Sequence, residues 1–297
     1  MTGASNNLIT ESISSETADI KLPTSVPRLP SSVQLGPYSI ATNLPDLPSA
    51  VCSSAVQSSP VPRPLVFNTI NTHSWVVAEQ DPEFNQALMA SDVLLPDGEG
   101  IVWAVKYLTG KKIKKIAGYD VFIHLLEYLQ QTGGTCFFMG GSQQTLDLIK
   151  ERLSKEYPNI KAGFFSPPYK PEFSEEDNTR IYYELRKTKD ELNSRITNYE
   201  ATSPPHHITT LFVGMTAPKQ EKWVLQHKDQ LPAGIVCSIG AVFDFYAGTV
   251  KRPPAWMIRM KLEWLGRLTS NPKRIWKRVF LSTPKFILSI LKLPRQT

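Results

Sequence analysis

The sequence predicts an α/β protein: a Rossmann-like parallel sheet flanked by helices, preceded by a disordered extension and followed by a basic, helical appendage. Three observations carry this. From about residue 65 to about residue 240, short apolar runs alternate with amphipathic stretches, the pattern of parallel strands joined by crossover helices. Residues 1–64 hold 13 Ser and 9 Pro without sustained periodicity. Residues 251–297 hold twelve Lys/Arg against one acidic residue, Glu263, so a net charge of +6 divides into a body of −5 and a tail of +11.

The chain has 297 residues, 41% of them hydrophobic, enough for a sizeable core, and full disorder is excluded. The length suits one large domain or two small ones, at ~150 residues per domain. Residues 1–64 read as a disordered extension ending in the stiff Ser59-Pro-Val-Pro-Arg-Pro64, although short apolar pieces such as Val33 to Leu35 could still dock on something. The α/β domain takes residues 65–250. Leu65-Val-Phe-Asn-Thr-Ile70 is an apolar strand, residues 74–90 a helical stretch, and Asp92-Val-Leu-Leu-Pro96 a short buried strand. Residues 101–108 are apolar at helical spacing. Residues 120–131 put Val121, Phe122, Leu125, Leu126 and Leu129 on one helix face, with Asp120 as N-cap. Strands follow at 135–139, 160–165, 208–213 and 234–239, with helices at 143–157, 175–193 and 219–230 between them. Residues 170–205 are polar and longer than a crossover needs, so a partly mobile insertion is expected there. Residues 251–297 form the appendage, where Trp256, Trp264, Trp276, Phe280 and Phe286 are interleaved with Lys and Arg.

Three cysteines, Cys52, Cys136 and Cys237, occur without a CxxC spacing. A disulfide framework and a thiolate zinc site are excluded, and a reducing compartment is expected. No apolar run reaches the ~18 residues of a spanning helix, and no basic-then-apolar secretory leader opens the chain. A soluble or peripherally attached protein is expected.

Five constellations could carry chemistry. In Leu95-Pro-Asp97-Gly-Glu-Gly100 a carboxylate follows a buried strand and is flanked by glycines, which let a ligand approach closely. Asp97 suits a general base, or a cap in an ordinary loop. Asn68-Thr-Ile-Asn-Thr-His73 ends the first strand with short polar groups, suited to a sugar or phosphate, or to capping the next helix. Phe138-Met-Gly-Gly-Ser142 leads a strand through glycines into a helix, either an anion site built from free N–H groups or a tight turn. Val213-Gly-Met-Thr-Ala-Pro-Lys-Gln220 brings Lys219 and Gln220 to a helix N-terminus above the carboxyl edge of the sheet, where open α/β sheets bind ligands. The basic, aromatic tail suits an anionic bilayer, with Trp and Phe at the interface and cations on head groups; nucleic acid or a partner helix would use fewer aromatics.

Read together, these segments resemble the WecG/TagA/CpsF family of glycosyltransferases. The resemblance is carried by Thr69-Ile-Asn71, Leu95-Pro-Asp-Gly98, Ala117-Gly-Tyr-Asp120, Phe138-Met-Gly-Gly141 and Val213-Gly-Met-Thr-Ala-Pro-Lys-Gln-Glu221. It continues through Gly240-Ala-Val-Phe-Asp-Phe-Tyr-Ala-Gly-Thr-Val-Lys-Arg-Pro-Pro254, Leu262-Glu-Trp-Leu-Gly-Arg-Leu268 and Asn271-Pro-Lys-Arg274. It covers about residues 65–280 and implies an inverting, metal-independent transferase without a cofactor. The enzyme would move an N-acetylmannosamine-type sugar, its uronate or a hexose from a UDP-sugar to a polyprenyl-diphosphate-linked sugar, in cell-wall or exopolysaccharide synthesis. Asp97 takes the role of general base, with Thr69, Asn71 and Gln220 in the same pocket. Gly118, Tyr119, Asp120, Gly140, Gly141, Gly214, Lys219 and Asp244 fall on the donor side. Lys115, Arg252, Arg267, Arg274, Lys277, Arg278, Trp264 and Trp276 face the diphosphate or the membrane. The resemblance places the enzyme in the cytoplasm, peripheral on the inner face of the plasma membrane, with no nucleic-acid partner, and leaves a homo-oligomer open. Two departures concern the donor: Lys115 stands where the family commonly has Arg, and Met215-Thr216 replaces a glycine-rich turn. Two other readings compete: a non-enzymatic nucleotide-binding module whose tail docks on nucleic acid or a partner, and an enzyme acting on a soluble sugar nucleotide.

Overall fold

The computed structural model describes residues 29–47, 63–194, 208–251 and 277–295, with isolated positions 254, 257 and 260. Eight strands form one sheet: β1 (Ser32–Leu35), β2 (Tyr38–Ala41), β3 (Leu65–Ile70), β4 (Val93–Pro96), β5 (Thr135–Gly140), β6 (Lys161–Phe165), β7 (Ile208–Gly214) and β8 (Ala233–Ser238). Their order is β1-β2-β4-β3-β8-β7-β5-β6. Every neighbouring pair is parallel except β1 with β2. The helices are α1 (Thr72–Ala78), α2 (Pro82–Met89), α3 (Glu99–Thr109), α4 (Gly118–Thr132), α5 (Gln143–Glu156), α6 (Glu175–Ser194), α7 (Lys219–His227) and α8 (Val242–Ala247). A π-helix, Lys277–Ser282, runs into α9 (Thr283–Leu291). The α/β class expected from the sequence is the class observed.

The central strands are buried on both faces, β5 as iBBBBB and β7 as BiBBBBB from exposed (e) through intermediate (i) to buried (B). A parallel sheet with helices on both sides requires this. Alternate residues feed opposite cores. Phe67, Leu95, Phe138, Phe212 and Cys237 meet α4, α5 and α8. Val66, Phe137, Met139, Leu211, Val213 and Val236 meet α6 and α7. Ile40, Ile70 and Leu94 meet α1, α2, α3 and α9.

Three expectations are corrected. First, order begins well before residue 65. Residues 32–41 form a hairpin whose second strand pairs in parallel with β4, Ile40 opposite Leu94. Val33, Leu35, Tyr38 and Ile40 all turn inward, and Gly36, at φ +56, makes the turn. This period-two pattern is only a few residues long, and the surrounding Ser and Pro swamp it in any compositional average. Arg63 is anchored too, by paired 2.9 Å hydrogen bonds to both carboxylate oxygens of Asp92. Second, residues 74–90 are two helices. Asp81 caps α2 by accepting the Phe84 N–H at 3.0 Å, and Pro82 at the first helical position has no N–H to continue α1. Within the segment 170–205, the helix expected at 175–193 is present as α6. α6 buries Ile181 and Leu185 against the sheet, and Lys170 pairs with Asp177 at 2.9 Å. Third, Asp120 is not an N-cap: α4 starts at Gly118, and the Asp120 carboxylate accepts the Ala117 N–H from the third helical position, at 3.0 Å.

The two ends of the described fold meet. The Trp75 ring lies edge-on to Tyr38 (5.0 Å between centroids) and to Phe286 (5.6 Å). Phe286 and Ile290 are fully buried, so α9 is held by a small apolar contact with α1 and α3. Truncating a buried Phe costs about 3–5 kcal/mol. Phe286→Ala is therefore expected to release α9. Amide hydrogen exchange of Thr283–Leu291 should accelerate by about two orders of magnitude or more, while β5 and β7 keep their protection.

Candidate active site

β3 and β4 run side by side, Thr69 opposite Leu95 and Ile70 opposite Pro96, so the residues after them emerge together at the carboxyl edge of the sheet. Asn71 caps α1, its side-chain oxygen accepting the N–H groups of His73 and Ser74 at 3.0 Å each. The Asp97 N–H donates to the Ile70 carbonyl at 2.9 Å, tying one loop to the other. Gly98 then takes φ +118, a conformation that a side chain would strain, and α3 begins. The chain returns at Ile116, whose N–H donates to the Pro96 carbonyl at 2.9 Å. That bond delivers Ala117, Gly118 and Tyr119 beside Asp97.

β7 and β8 supply the opposite wall. A Cβ on Gly140 would stand 2.6 Å from the Gly214 carbonyl oxygen, and one on Gly214 would stand 2.3 Å from the Phe243 ring. Only glycines let β5, β7 and α8 close up here. α7 then turns Gln220 and Glu221 inward, 4% and 3% exposed. Gln220 Oε1 accepts the Gly240 N–H at 3.1 Å, and its Nε2 donates to Glu221 Oε1 at 2.8 Å. Glu221 Oε2 is buried with no hydrogen-bond partner. Burial pushes the Glu221 carboxyl up to about 7, against the opposing bond from Gln220. This is a carboxylic acid that holds its proton near neutrality, by desolvation rather than by a neighbouring charge.

These segments border two adjacent spaces. The smaller, of about 120 Å³, is lined by Thr69, Asn71, Asp97 and Gln220, the four residues expected to share a pocket, together with Gly118, Tyr119, His73 and Glu221. The larger, a trough of about 1360 Å³, is lined by Gly140, Gly141, Gly214, Lys219 and Asp244. Met215, Thr216, Gly240 and Ala241 border both. The expected donor residues thus divide between the two spaces, and Asp120 lines neither. Whole ligand sites run to ~300–1,000 Å³. The small cleft has room for only part of a ligand, and the trough must take the remainder.

The trough is framed by the N-terminus of α5, where Ser142 accepts the Thr145 N–H at 3.1 Å, and by residues 166–177. The Ser166 hydroxyl donates to the Gly141 carbonyl at 2.7 Å. The Lys219 ammonium lies 3.5 Å from the centroid of Phe173 and donates to the Lys170 carbonyl, and burial lowers its pKa. Lys219 was expected to project over the sheet edge; it instead clasps the wall of the trough. Among the described residues no group of three or more His, Cys, Asp or Glu side chains is arranged to hold a metal ion.

The cleft also touches the C-terminal elements. His73 Nδ1 and the buried Ser282 hydroxyl share a 2.8 Å hydrogen bond. Beyond Ser282, α9 buries Phe286 and Ile290 but exposes Ile287, Leu288 and Leu291 on its outer side, with Lys285 and Lys292 on its flank. Nearby, Arg295 lies 4.4 Å over the Tyr107 ring, which stacks on the exposed Trp103 at 5.3 Å. Exposed Lys111, Lys112 and Lys114 follow α3, a second basic surface that the halved charge count hides inside an acidic body. No helix among the described residues is long and apolar enough to cross a membrane. Of the expected diphosphate- or membrane-facing residues, Arg252, Trp264, Arg267, Arg274 and Trp276 lie outside the described residues. Lys277 and Arg278 are described only as backbone of the π-helix. Lys115 immediately precedes the Ile116 anchor.

Sequence reasoning missed Glu221 as a site residue in its own right. The available signal was its helical spacing: three positions before the buried Val224, it belongs to the inward face of α7.

Comparison with known proteins follows the same residues. The model of a family described as "Glycosyl transferase WecG/TagA/CpsF family" matches residues 41–297. The chain is 32% identical over 227 residues, 76% of its length and 79% of the relative's, to an N-acetylglucosaminyldiphosphoundecaprenol N-acetyl-beta-D-mannosaminyltransferase of Bacillus subtilis (strain 168). Relatives carrying the same name in Bacillus spizizenii (strain ATCC 23059 / NRRL B-14472 / W23) and Staphylococcus aureus (strain MW2) are 32% and 24% identical over 75% and 78% of this chain, and 77% and 79% of theirs.

Glu221 has a consequence for stability. Its folded-state pKa lies above the unfolded value, so between about 4.5 and about 7 the folded protein binds more protons than the unfolded chain, and stability falls as pH rises through that window. The loss approaches roughly 3 kcal/mol at about 1.36 kcal/mol per pH unit. Urea unfolding at pH 5 and pH 8 should show it, and Glu221→Gln should remove this part of the slope.

Proposed function

The chain belongs to the WecG/TagA/CpsF family of glycosyltransferases, and from that premise we propose that it transfers a sugar from a UDP-sugar to a polyprenyl-diphosphate-linked sugar, inverting the anomeric centre without a metal. The relatives' name supports an N-acetylmannosaminyl donor and an N-acetylglucosaminyl-diphosphoundecaprenol acceptor. One observation carries the reading: Thr69, Asn71, Asp97 and Gln220, from the ends of β3 and β4 and the start of α7, line one cleft that shares a wall with a nucleotide-sized trough.

The chemistry follows from the arrangement. Asp97 accepts the proton of the acceptor hydroxyl as that oxygen attacks the anomeric carbon. The bond from that carbon to the UDP oxygen breaks on the opposite face, and the configuration inverts. Thr69 and the Asn71 amide nitrogen hold the sugar hydroxyls. Gln220, its amide engaged at both ends, braces the loops around the sugar. The uridine and its diphosphate occupy the trough beside Asp244, Gly140 and Gly141. There the free N–H groups at the start of α5 stabilise the departing charge, and basic groups including Lys115, Arg252, Arg267, Arg274, Lys277 and Arg278 neutralise the remainder.

The lipid-linked acceptor requires that the enzyme meet a membrane. The outer side of α9, with Ile287, Leu288 and Leu291 exposed opposite a buried face and lysines beside them, suits shallow insertion among anionic head groups. Trp103 and the adjacent lysines extend the same kind of surface.

Two measurements test this. Asp97→Asn should lower transfer to a prenyl-diphosphate-linked acceptor by about 10²–10⁴-fold, with the UDP affinity measured by calorimetry unchanged; normal turnover would remove Asp97 from the role of base. A double change, Ile287→Glu with Leu288→Glu, should abolish flotation with anionic vesicles and leave UDP affinity intact.

A further inference from the structure

We propose that Glu221 is a sugar-binding residue of the cleft: its protonated carboxyl donates a hydrogen bond to an oxygen of the sugar being transferred. This rests on the reading of the cleft as the site of sugar transfer.

Four observations converge on it. Glu221 lines the cleft with Asp97 and Thr69. It is 3% exposed, so a charge there would lack water. One oxygen, Oε1, is already taken as the acceptor for the Gln220 amide at 2.8 Å. The other, Oε2, is buried and makes no hydrogen bond with another residue. A buried polar atom left without a partner costs stability, and such an atom in a binding cleft calls for a ligand group. With Oε1 accepting, the proton sits on Oε2, which then needs an acceptor. A sugar hydroxyl or acetamido oxygen supplies one without bringing a charge. The donor sugar fits better than the acceptor sugar, because α7 follows the Met215-Thr216 border that the cleft shares with the nucleotide trough.

The surrounding charges leave this proton to Glu221. From other elements the cleft is faced by His73, Asp97 and Tyr119. On its own helix, Lys222 is turned away to Asp81 and Glu83, at 3.0 and 2.9 Å, and Lys219 to Phe173 and the Lys170 carbonyl. The alternative role is a brace: Glu221 would serve only to orient Gln220, and the state of Oε2 would not matter to a ligand.

The two roles differ in the sugar's share of binding, which calorimetry reads without turnover as the ratio of affinities for UDP-N-acetylmannosamine and UDP. The protonated carboxyl is the competent form, so apparent affinity for the sugar scales with the protonated fraction. For a group titrating near 7, the ratio should fall about tenfold between pH 6 and pH 8, while UDP affinity itself changes less. Glu221→Gln keeps the shape, the acceptor for Gln220 and a donor in place of Oε2. Its ratio should match the wild type at pH 6 within about threefold and stay flat to pH 8. A flat ratio in the wild type, or an equal fall in Glu221→Gln, overturns the proposal; the second result would assign the titration to His73 or another group. Should the variant not fold, the carboxyl carbon resonance of Glu221 in the wild-type enzyme decides. Its titration must move upward with UDP-N-acetylmannosamine and stay in place with UDP. Failure of sugar transfer with the ratio behaving as described would count against the proposed reaction and not against Glu221.

Discussion

The Gln220 amide is the tie on which both clefts depend. Its oxygen holds the Gly240 N–H and its nitrogen holds Glu221, so the loop after β8 and the first turn of α7 move as one. Of the residues bordering both spaces, Gly240 and Ala241 follow β8, and Met215 and Thr216 lie in the loop that leads into α7. A flexible amide at this position would let the wall between the cleft and the trough drift. A misplacement of about 1 Å is enough to lower a transfer rate by around two orders of magnitude. The buried Glu221 that accepts the amide's N–H is itself a costly group, because its second oxygen is buried without a hydrogen bond. Stability and precision are opposed here, as is common where chemistry is done.

The elements that were legible in the sequence share a physical reason. A parallel strand buried on both faces must be apolar throughout, so β3, β5, β7 and β8 stand out as runs. Loops at the carboxyl edge must be small and polar, so Thr69, Asn71, Asp97 and Gly140 stand out as breaks. What escaped detection did so because it depends on partners far away in the chain. Val33, Leu35, Tyr38 and Ile40 make a strand pair only because Leu94 offers an edge, and nothing local distinguishes them from their Ser- and Pro-rich surroundings. The direction of Lys219 was settled by Phe173, a residue 46 positions earlier. The importance of Glu221 lies in the absence of a partner for one oxygen, which no sequence displays. Asp120 is a different case. Its position at a helix start was readable, and the observed boundary differs by a residue or two, the usual margin at helix ends.

Charge arithmetic located the basic end of the chain but understated the basic surface. Lys111, Lys112 and Lys114 belong to a body of net negative charge, yet they follow α3, which packs beside α9. Arg295 stacked over Tyr107 joins the two regions directly. Net charge by segment is a statement about the chain, whereas a bilayer responds to what the fold brings onto one side.

The meeting of Tyr38, Trp75 and Phe286 has a kinetic consequence. These rings come from the first hairpin, the first helix and the last helix, so the contact closes a loop of some 250 residues. Contacts of such long range form late, after the chain has met the entropy of closing that loop. The outer side of α9 is thus held in its orientation only when the two ends of the described fold have met, so its placement depends on the whole sheet between them.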